Sequence, residues 1–191
     1  MGQPPLTLWR WSRNEYEGLM RLGVFTGHPV ELIAGQLVVA ELQGSYHATA
    51  VGAVDDALRA LLPSGFIVRA QMPVALDDES EPEPDVAVVR GTRADYRETH
   101  PGPPVLVVEV SDSSLDFDRR DKGILYARGG APDYWIVNLI ERVLEVYREP
   151  TPDQTAPHRW RYRSMKTFRA TAVVAPLELP SVRLAVSTLL P

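Results

Sequence analysis

Apolar and polar positions along the chain follow two rhythms, and each rhythm predicts an element. From Ser12 the period is helical. Ser12 and Glu15 have the spacing of a capping box, in which each side chain satisfies the other residue's backbone N–H. Tyr16, Leu19, Met20 and Leu22 then form an apolar stripe, and Gly23 is a natural stop. Val30 to Ile33 and Gln36 to Val39 flank Ala34-Gly35 and read as a β-hairpin. Helical spacing returns from Ser45 to Leu62, with Ala50, Val51, Val54, Leu58, Leu61 and Leu62 on one face, and Pro63-Ser64-Gly65 ends it. Phe66-Ile67-Val68 followed by Met72 to Leu76 suggests a bent strand. The acidic stretch Asp77 to Glu83 reads as an exposed loop leading through Pro84-Asp85 into the strand Val86 to Val89. Residues 90–104 are polar and proline-rich and read as a surface connection, with Arg90, Arg93 and Arg97 solvated.

In the middle of the chain, an apolar run that starts at Val105 is interrupted by one carboxylate, Glu109, before Val110. A polar turn, Ser111 to Ser114, leads into a charged helix that Gly129-Gly130 stops, and a second apolar run follows, Tyr134 to Val137. Strand, helix and strand in this order predict a βαβ unit, whose strands are buried on both faces. A carboxylate on such a strand is conspicuous, because burying it unpaired costs several kcal/mol, roughly. Glu109 therefore belongs at a cleft beside a cation. Asp118 and Lys122 stand four apart in the helix, a favourable pair. Lys122 shares a face with Leu125 and Tyr126, which aims its amine near the end of the Glu109 strand. Beyond Asn138 the pattern turns antiparallel. Val143 to Tyr147 reads as a strand, Trp160 to Arg163 and Lys166 to Phe168 as a hairpin, and the tail from Pro176 as a final strand and short turn. These elements predict one α/β domain over residues 1–191, with a mixed central sheet flanked by helices and additional antiparallel strands at both ends. Residues 1–10 and 186–191 are expected to be loosely attached.

Composition narrows the class. A chain of 191 residues, 45% hydrophobic and 24% charged, suits a single domain with a real core. No apolar run approaches the roughly 20 residues that span a bilayer, and the N-terminus lacks the pattern of a signal peptide. The absence of cysteine removes disulfides and thiolate metal sites, and a cytoplasmic protein is the simplest expectation. A net charge of -5 is not the balance of a protein that holds nucleic acid by bulk electrostatics. A nucleic-acid role would need a local basic patch or a metal ion.

Candidate chemistry gathers on acids at strand ends. Asp85 opens one strand and Glu109 lies near the end of another, with Lys122 on the next helix. Converging carboxylates hold Mg²⁺ or Mn²⁺, which prefer oxygen ligands, and the backbone carbonyl of Val110 is a further donor. Such an ion acts as a Lewis acid and a source of activated water, and Lys122 is placed to orient that water or stabilise charge on a phosphate. Taken singly, the bland readings are strong. Asp85 is a turn-forming residue, Glu31 a carboxylate on the solvent face of its strand, and His47, in the first turn of the long helix, a satisfied boundary residue. There is no phosphate-binding glycine loop, no GxSxG and no HExxH.

Pro84-Asp85, then LVVEVSDSS, then the Asp118 to Lys122 helix running into LYARGGAPDYWIV resembles the Uma-two family of restriction endonucleases, within the PD-(D/E)XK nuclease superfamily. VELIAGQLVV followed by His47 is similar to that family's first conserved segment, so the resemblance covers about residues 11 to 185. It implies a restriction-endonuclease-like core, Asp85 and Glu109 as metal ligands, Lys122 as the catalytic lysine and Glu31 as an added acid beside the site. His47 and Asp118 carry over as site neighbours. Two departures stand out. The superfamily's usual lysine position, two residues after the acid, is Ser111, so the lysine has moved to the helix; and the usual acid after the YW strand is Asn138. The implied activity is metal-dependent hydrolysis of DNA phosphodiester bonds, with Mg²⁺ or Mn²⁺ as cofactor, DNA as partner and a homodimer as the expected assembly. A nuclease-fold module that binds or assembles without cutting is the second reading. The acidic balance favours the second reading, and the retained Asp85, Glu109 and Lys122 favour the first.

Overall fold

A computed structural model describes residues 7–40 and 43–191. A six-stranded sheet in the order β3-β4-β5-β6-β7-β8 forms its centre. Its strands are β3 (Phe66–Ala70), β4 (Val86–Arg90), β5 (Leu106–Ser111), β6 (Asp133–Asn138), β7 (Val143–Pro152) and β8 (Trp160–Arg169). Only β5 and β6 pair in parallel, as the βαβ pattern requires; the other neighbours are antiparallel. Helix α1 (Arg13–Arg21) and a hairpin of β1 (Val30–Ile33) and β2 (Gln36–Val39) precede the long helix α2 (Ser45–Leu61). The crossover from β5 to β6 carries α3 (Leu115–Phe117), a π-helical turn (Asp118–Lys122) and α4 (Gly123–Arg128). A short pair of β9 (Val173–Val174) and β10 (Leu184–Ala185) closes the chain.

Strand alternation decides which side chains meet which layer. Leu106, Val108 and Val110 of β5 join Val86, Val88, Trp135, Val137 and Leu144 in the core under α2. Val107 points the other way and packs with Ala87, Tyr134 and Ile136 against Leu125 and Tyr126 of α4 and Ile33 of the hairpin. Glu109 falls in the same register as Val107, so it looks toward the crossover helix rather than toward α2. The strand is buried on both faces from Leu106 to Ser111.

Several expectations are corrected. In α1 the capping box between Ser12 and Glu15 forms, but of the apolar stripe only Tyr16 is buried, while Met20 and Leu22 are exposed. The helix is anchored at the foot of the hairpin, where Tyr16 packs on Val30 and Leu32 and donates its hydroxyl to the Val30 carbonyl at 2.6 Å, and at the acidic stretch, where the Arg13 N–H donates to the Asp78 carbonyl at 2.6 Å. Residues 72–76 are not a strand. Gln71 adopts a left-handed φ of 51° that breaks the ladder, and Val74 and Ala75 donate instead to Pro82 and Pro101. The acidic stretch from Asp77 is not an exposed loop, for Ser80, Glu81 and Pro82 are buried. It threads against β1, with Glu81 N–H donating to Leu32 O at 2.8 Å and Gly35 N–H to Glu79 O at 2.7 Å. Trp160 to Phe168 is one strand rather than a hairpin, paired along its length with β7.

The C-terminal end is packed, not loose: Val186, Leu189 and Leu190 lie in the main core. Of the N-terminal end expected to be loose, residues 1–6 lie outside the described residues. Among the described residues no helix is long and apolar enough to cross a membrane. Leu189→Ala is expected to destabilise the fold by about 3 kcal/mol, as for a buried leucine. Urea unfolding checks this, and a change below about 0.5 kcal/mol, the value for a surface position, would show a frayed end.

Candidate active site

The register of β4 on β5 builds the site. Val86 lies opposite Val108, so Asp85, one residue earlier, falls beside Glu109. The Asp85 backbone N–H donates to Glu109 Oε2 at 3.2 Å, and the Val110 N–H returns a bond to Asp85 Oδ2 at 2.8 Å. The other Asp85 oxygen meets His47 Nε2, in the first turn of α2, at 3.1 Å and Gln43 Nε2, two residues before that helix, at 3.2 Å.

Glu109 is 2% exposed, and a buried charge of this kind needs partners. It has two on one oxygen. Oε1 accepts from the Tyr126 hydroxyl at 2.6 Å and lies 3.0 Å from Lys122 Nζ. Lys122 is also 3.8 Å from Glu31 Oε2 on β1. The hairpin strand carrying Glu31 is buried throughout, because the acidic stretch covers it. Glu31 Oε2 in turn accepts the Glu83 N–H at 3.1 Å.

The π turn sets the position of Lys122. A π turn holds more residues than an α turn and shifts the side chains that follow it, which is why such turns recur at functional sites. It is tied down from both sides. Arg119 donates two bonds to buried Glu145 on β7, through Nε at 3.0 Å and Nη2 at 2.5 Å. Asn138 donates to the same carboxylate at 2.8 Å, which is the part this residue plays in place of an acid. Asp118, buried at the head of the turn, accepts from Ser111 Oγ at 2.5 Å and Ser114 Oγ at 2.6 Å. Tyr134 donates its hydroxyl to the Asp118 carbonyl at 2.9 Å. A Cβ at Gly123 would sit 3.3 Å from that carbonyl and 3.4 Å from the Tyr134 ring, a tight fit that a larger residue would relieve by a shift of a few tenths of an ångström.

All of the residues singled out in the sequence, Glu31, His47, Asp85, Glu109, Val110, Asp118 and Lys122, line one cleft of about 520 Å³. Glu31 is thus not on a solvent face. The sequence reading missed Glu83, Gln43 and Tyr126. Glu83 had a signal, since it stands two residues before Asp85 in an extended Glu-Pro-Asp segment and so projects to the same side. Gln43 had none, and Tyr126 was read as packing alone.

Burial pushes the Glu109 carboxyl up, against the pull of the Lys122 ammonium. Burial also works against the Lys122 charge, but Glu109, Glu31, Asp118 and Asp85 together outweigh it and hold the ammonium above the ordinary lysine value. Glu83 is raised by burial and then by the charge of Glu31. For His47 burial favours the neutral ring, yet the bond to Asp85 prevails and raises its pKa.

Among the described residues no three His, Asp or Glu side chains are grouped closely enough to hold a metal ion by themselves. Asp85, Glu109 and the Val110 carbonyl are nonetheless three hard oxygen donors on adjoining backbone, the chemistry that suits Mg²⁺ or Mn²⁺. Both carboxylates now accept internal hydrogen bonds, so an ion there would compete with His47, Gln43 and Lys122 for the same oxygens.

Lys122→Met is expected to destabilise the fold by about 3 kcal/mol above neutral pH, because it leaves a buried carboxylate uncompensated. Glu109, already raised, would rise further. A carboxyl raised only in the folded state weakens folding increasingly as pH climbs from the ordinary glutamate value to the raised one, so the loss should be largest above the raised value and shrink markedly by about pH 5. Denaturant unfolding at the two ends of this range checks it, and an equal loss at both would contradict the pairing.

The matched family carries the description "Uma2: Putative restriction endonuclease", and the match covers residues 14–187. In the crystal structure of a "putative nuclease belonging to DUF820" from Anabaena variabilis ATCC 29413, the fold is similar, with a TM-score of 0.66 and 16% sequence identity. The superposition covers 84% of this chain and 88% of that one. No curated protein matches. The match over nearly the whole chain shows that the protein belongs to the Uma2 family.

Proposed function

We propose that this protein is an endonuclease that hydrolyses DNA phosphodiester bonds with Mg²⁺ or Mn²⁺. The observation that carries the reading is the convergence of Asp85, Glu109 and Lys122 on one cleft, with the ammonium 3.0 Å from Glu109. Asp85, Glu109 and the Val110 carbonyl would hold the ion. When bound, it supplies Lewis acidity and an activated water.

The chain's own residues have defined tasks in this scheme. His47 and Gln43 fix the rotamer of Asp85, and Tyr126 fixes that of Glu109. Lys122 keeps its charge and stands beside the carboxylate, where it orients a water or neutralises a phosphate oxygen. Glu31 adds negative charge beside the ammonium and helps keep it protonated, and Glu83 steadies Glu31 through its backbone N–H. Carboxylates outnumber cations along the cleft, which Asp112, Asp116 and buried Asp118 also line. A phosphodiester entering it unaided would be repelled, and a divalent ion removes that barrier. Cutting both strands of a duplex calls for two such sites, so a homodimer is part of the proposal.

A non-cleaving binding module is the second reading. It is favoured by the net charge of -5 and by the internal hydrogen bonds that already satisfy both carboxylates. Calorimetric titration of Mn²⁺ into the wild type and an Asp85→Asn, Glu109→Gln double variant separates the two. The nuclease reading expects binding heat that disappears in the double variant. Equal heats in the two proteins, or none at millimolar metal, would favour the module.

The raised Glu109 carboxyl gives a further expectation. A ligand must shed its proton before it binds a metal, so Mn²⁺ binding should release protons and tighten with rising pH, through a window above the ordinary glutamate range. Titration in two buffers of different ionisation heat measures the release. Affinity that does not change with pH would exclude Glu109 as a ligand.

A further inference from the structure

Phe117 stands apart from the other phenylalanines of the chain. Phe25, Phe66 and Phe168 each pack against a buried hydrophobic cluster, whereas Phe117 joins none among the described residues. It is half-buried at the end of α3 and lies in the wall of the candidate active-site cleft. Val38, Val39 and Ala40 of the hairpin side line the same cleft, and Val39 is 63% exposed. The proposed hydrolysis uses none of these side chains. An aromatic face placed beside the reacting groups, and not spent on the core, suits a flat partner.

The cleft limits what that partner is. Asp85 and Glu109 are buried, whereas Val39, Gly44, Ser113 and Asp116 of the same cleft are exposed, so a phosphate passes between these walls before it meets the two carboxylates. The phosphates of a duplex are backed by the double helix, and its bases are stacked inside, out of reach of a side chain. A lone strand is slimmer, presents the faces of its bases and carries about half the charge of a duplex per unit length. The charge matters here, because among the described residues Lys122 is the one lysine or arginine that lines the cleft. The hairpin adds a donor without adding charge. The Ala40 N–H bonds to the Pro29 carbonyl, so the alternation of the ladder turns the Val39 N–H away from β1. Backbone N–H groups are regular partners of phosphate oxygens.

We infer that the cleft takes an unpaired strand of DNA, with one base stacked on Phe117 and the adjoining phosphate at Asp85 and Glu109. The place of the phosphate rests on the nuclease reading above, whereas the stacking requires no cleavage. A duplex then has to open before each of its strands enters a site.

The test uses the full chain with three ligands: an oligodeoxythymidine strand, the same strand annealed to oligodeoxyadenosine, and an abasic strand of equal length. Binding is read by fluorescence anisotropy in Ca²⁺, which takes oxygen ligands as Mg²⁺ does, and cleavage is read in Mn²⁺. The thymidine strand should bind at least tenfold more tightly than the duplex or the abasic strand. Phe117→Ala should remove the advantage over the abasic strand, a loss on the scale of one stacked base, and leave abasic binding unchanged. Phe117→Trp should keep the advantage. Should Phe117→Ala fail to fold, the wild-type comparison of the three ligands decides alone. Equal binding of the thymidine and abasic strands, duplex bound as tightly as the thymidine strand, or a Phe117→Ala protein that keeps the full advantage would overturn the inference. Duplex cut as fast as the lone strand would sink it and leave the nuclease reading standing. Preference for the lone strand in Ca²⁺, with no DNA form cut in Mn²⁺, would support the stacking and count against the nuclease.

Discussion

The ion pair between Lys122 and Glu109 is the constraint on which the rest of the structure depends. β5 is buried on both faces, and a carboxylate in the middle of such a strand is tolerable only beside a cation. The cation has to come from the crossover helix, because the register of β5 turns Glu109 to that side. The helix reaches that side through the π turn, held by Arg119 on Glu145, by Ser111 and Ser114 on Asp118, and by Tyr134 on the Asp118 carbonyl. Strand, turn and helix are thus fixed around one buried pair.

The pair also explains the second layer of acids. A lone ammonium buried this deeply would lose its proton readily. With Glu31 and Asp118 added to Glu109, it stays charged. The hairpin that delivers Glu31 stays in place because the acidic stretch from Asp77 to Glu83 threads against β1 and contributes Glu83 as well. What looks like a solvated acidic loop lines the cleft through Glu83. Under the proposed reading, that is how an acidic chain would carry a phosphate-directed site, with the negative charge concentrated where a metal ion would answer it.

The central βαβ unit was legible in the sequence because both of its signals are local. A β-branched run with one acid marks the strand, and the spacing of Lys122, Leu125 and Tyr126 marks the helix face. The hairpin and α2 were legible for the same reason. The π turn was not, since nothing in the spacing of Asp118 and Lys122 separates a wide turn from an ordinary one. Nor does the spacing mark Arg119, which fastens that turn to β7. The burial of Glu81 and Glu83 was hidden because it comes from a tertiary contact with β1, while the local composition, rich in acid and proline, favours solvent. The apolar stripe of α1 erred in the opposite direction, promising a packed face where only Tyr16 is buried. The convergence of Asp85 with Glu109 depends on strand register, which composition does not fix.

The most direct measurement is nicking of supercoiled plasmid DNA under single-turnover conditions with Mn²⁺, by the wild type and by Lys122→Met at a pH where both proteins are folded. The account expects cleavage by the wild type and a loss of about a hundredfold or more in the variant, the scale of removing one charge-stabilising group from an active site. A variant that cuts as fast as the wild type, or a wild type that binds Mn²⁺ at Asp85 and Glu109 yet cuts no DNA form, would contradict it.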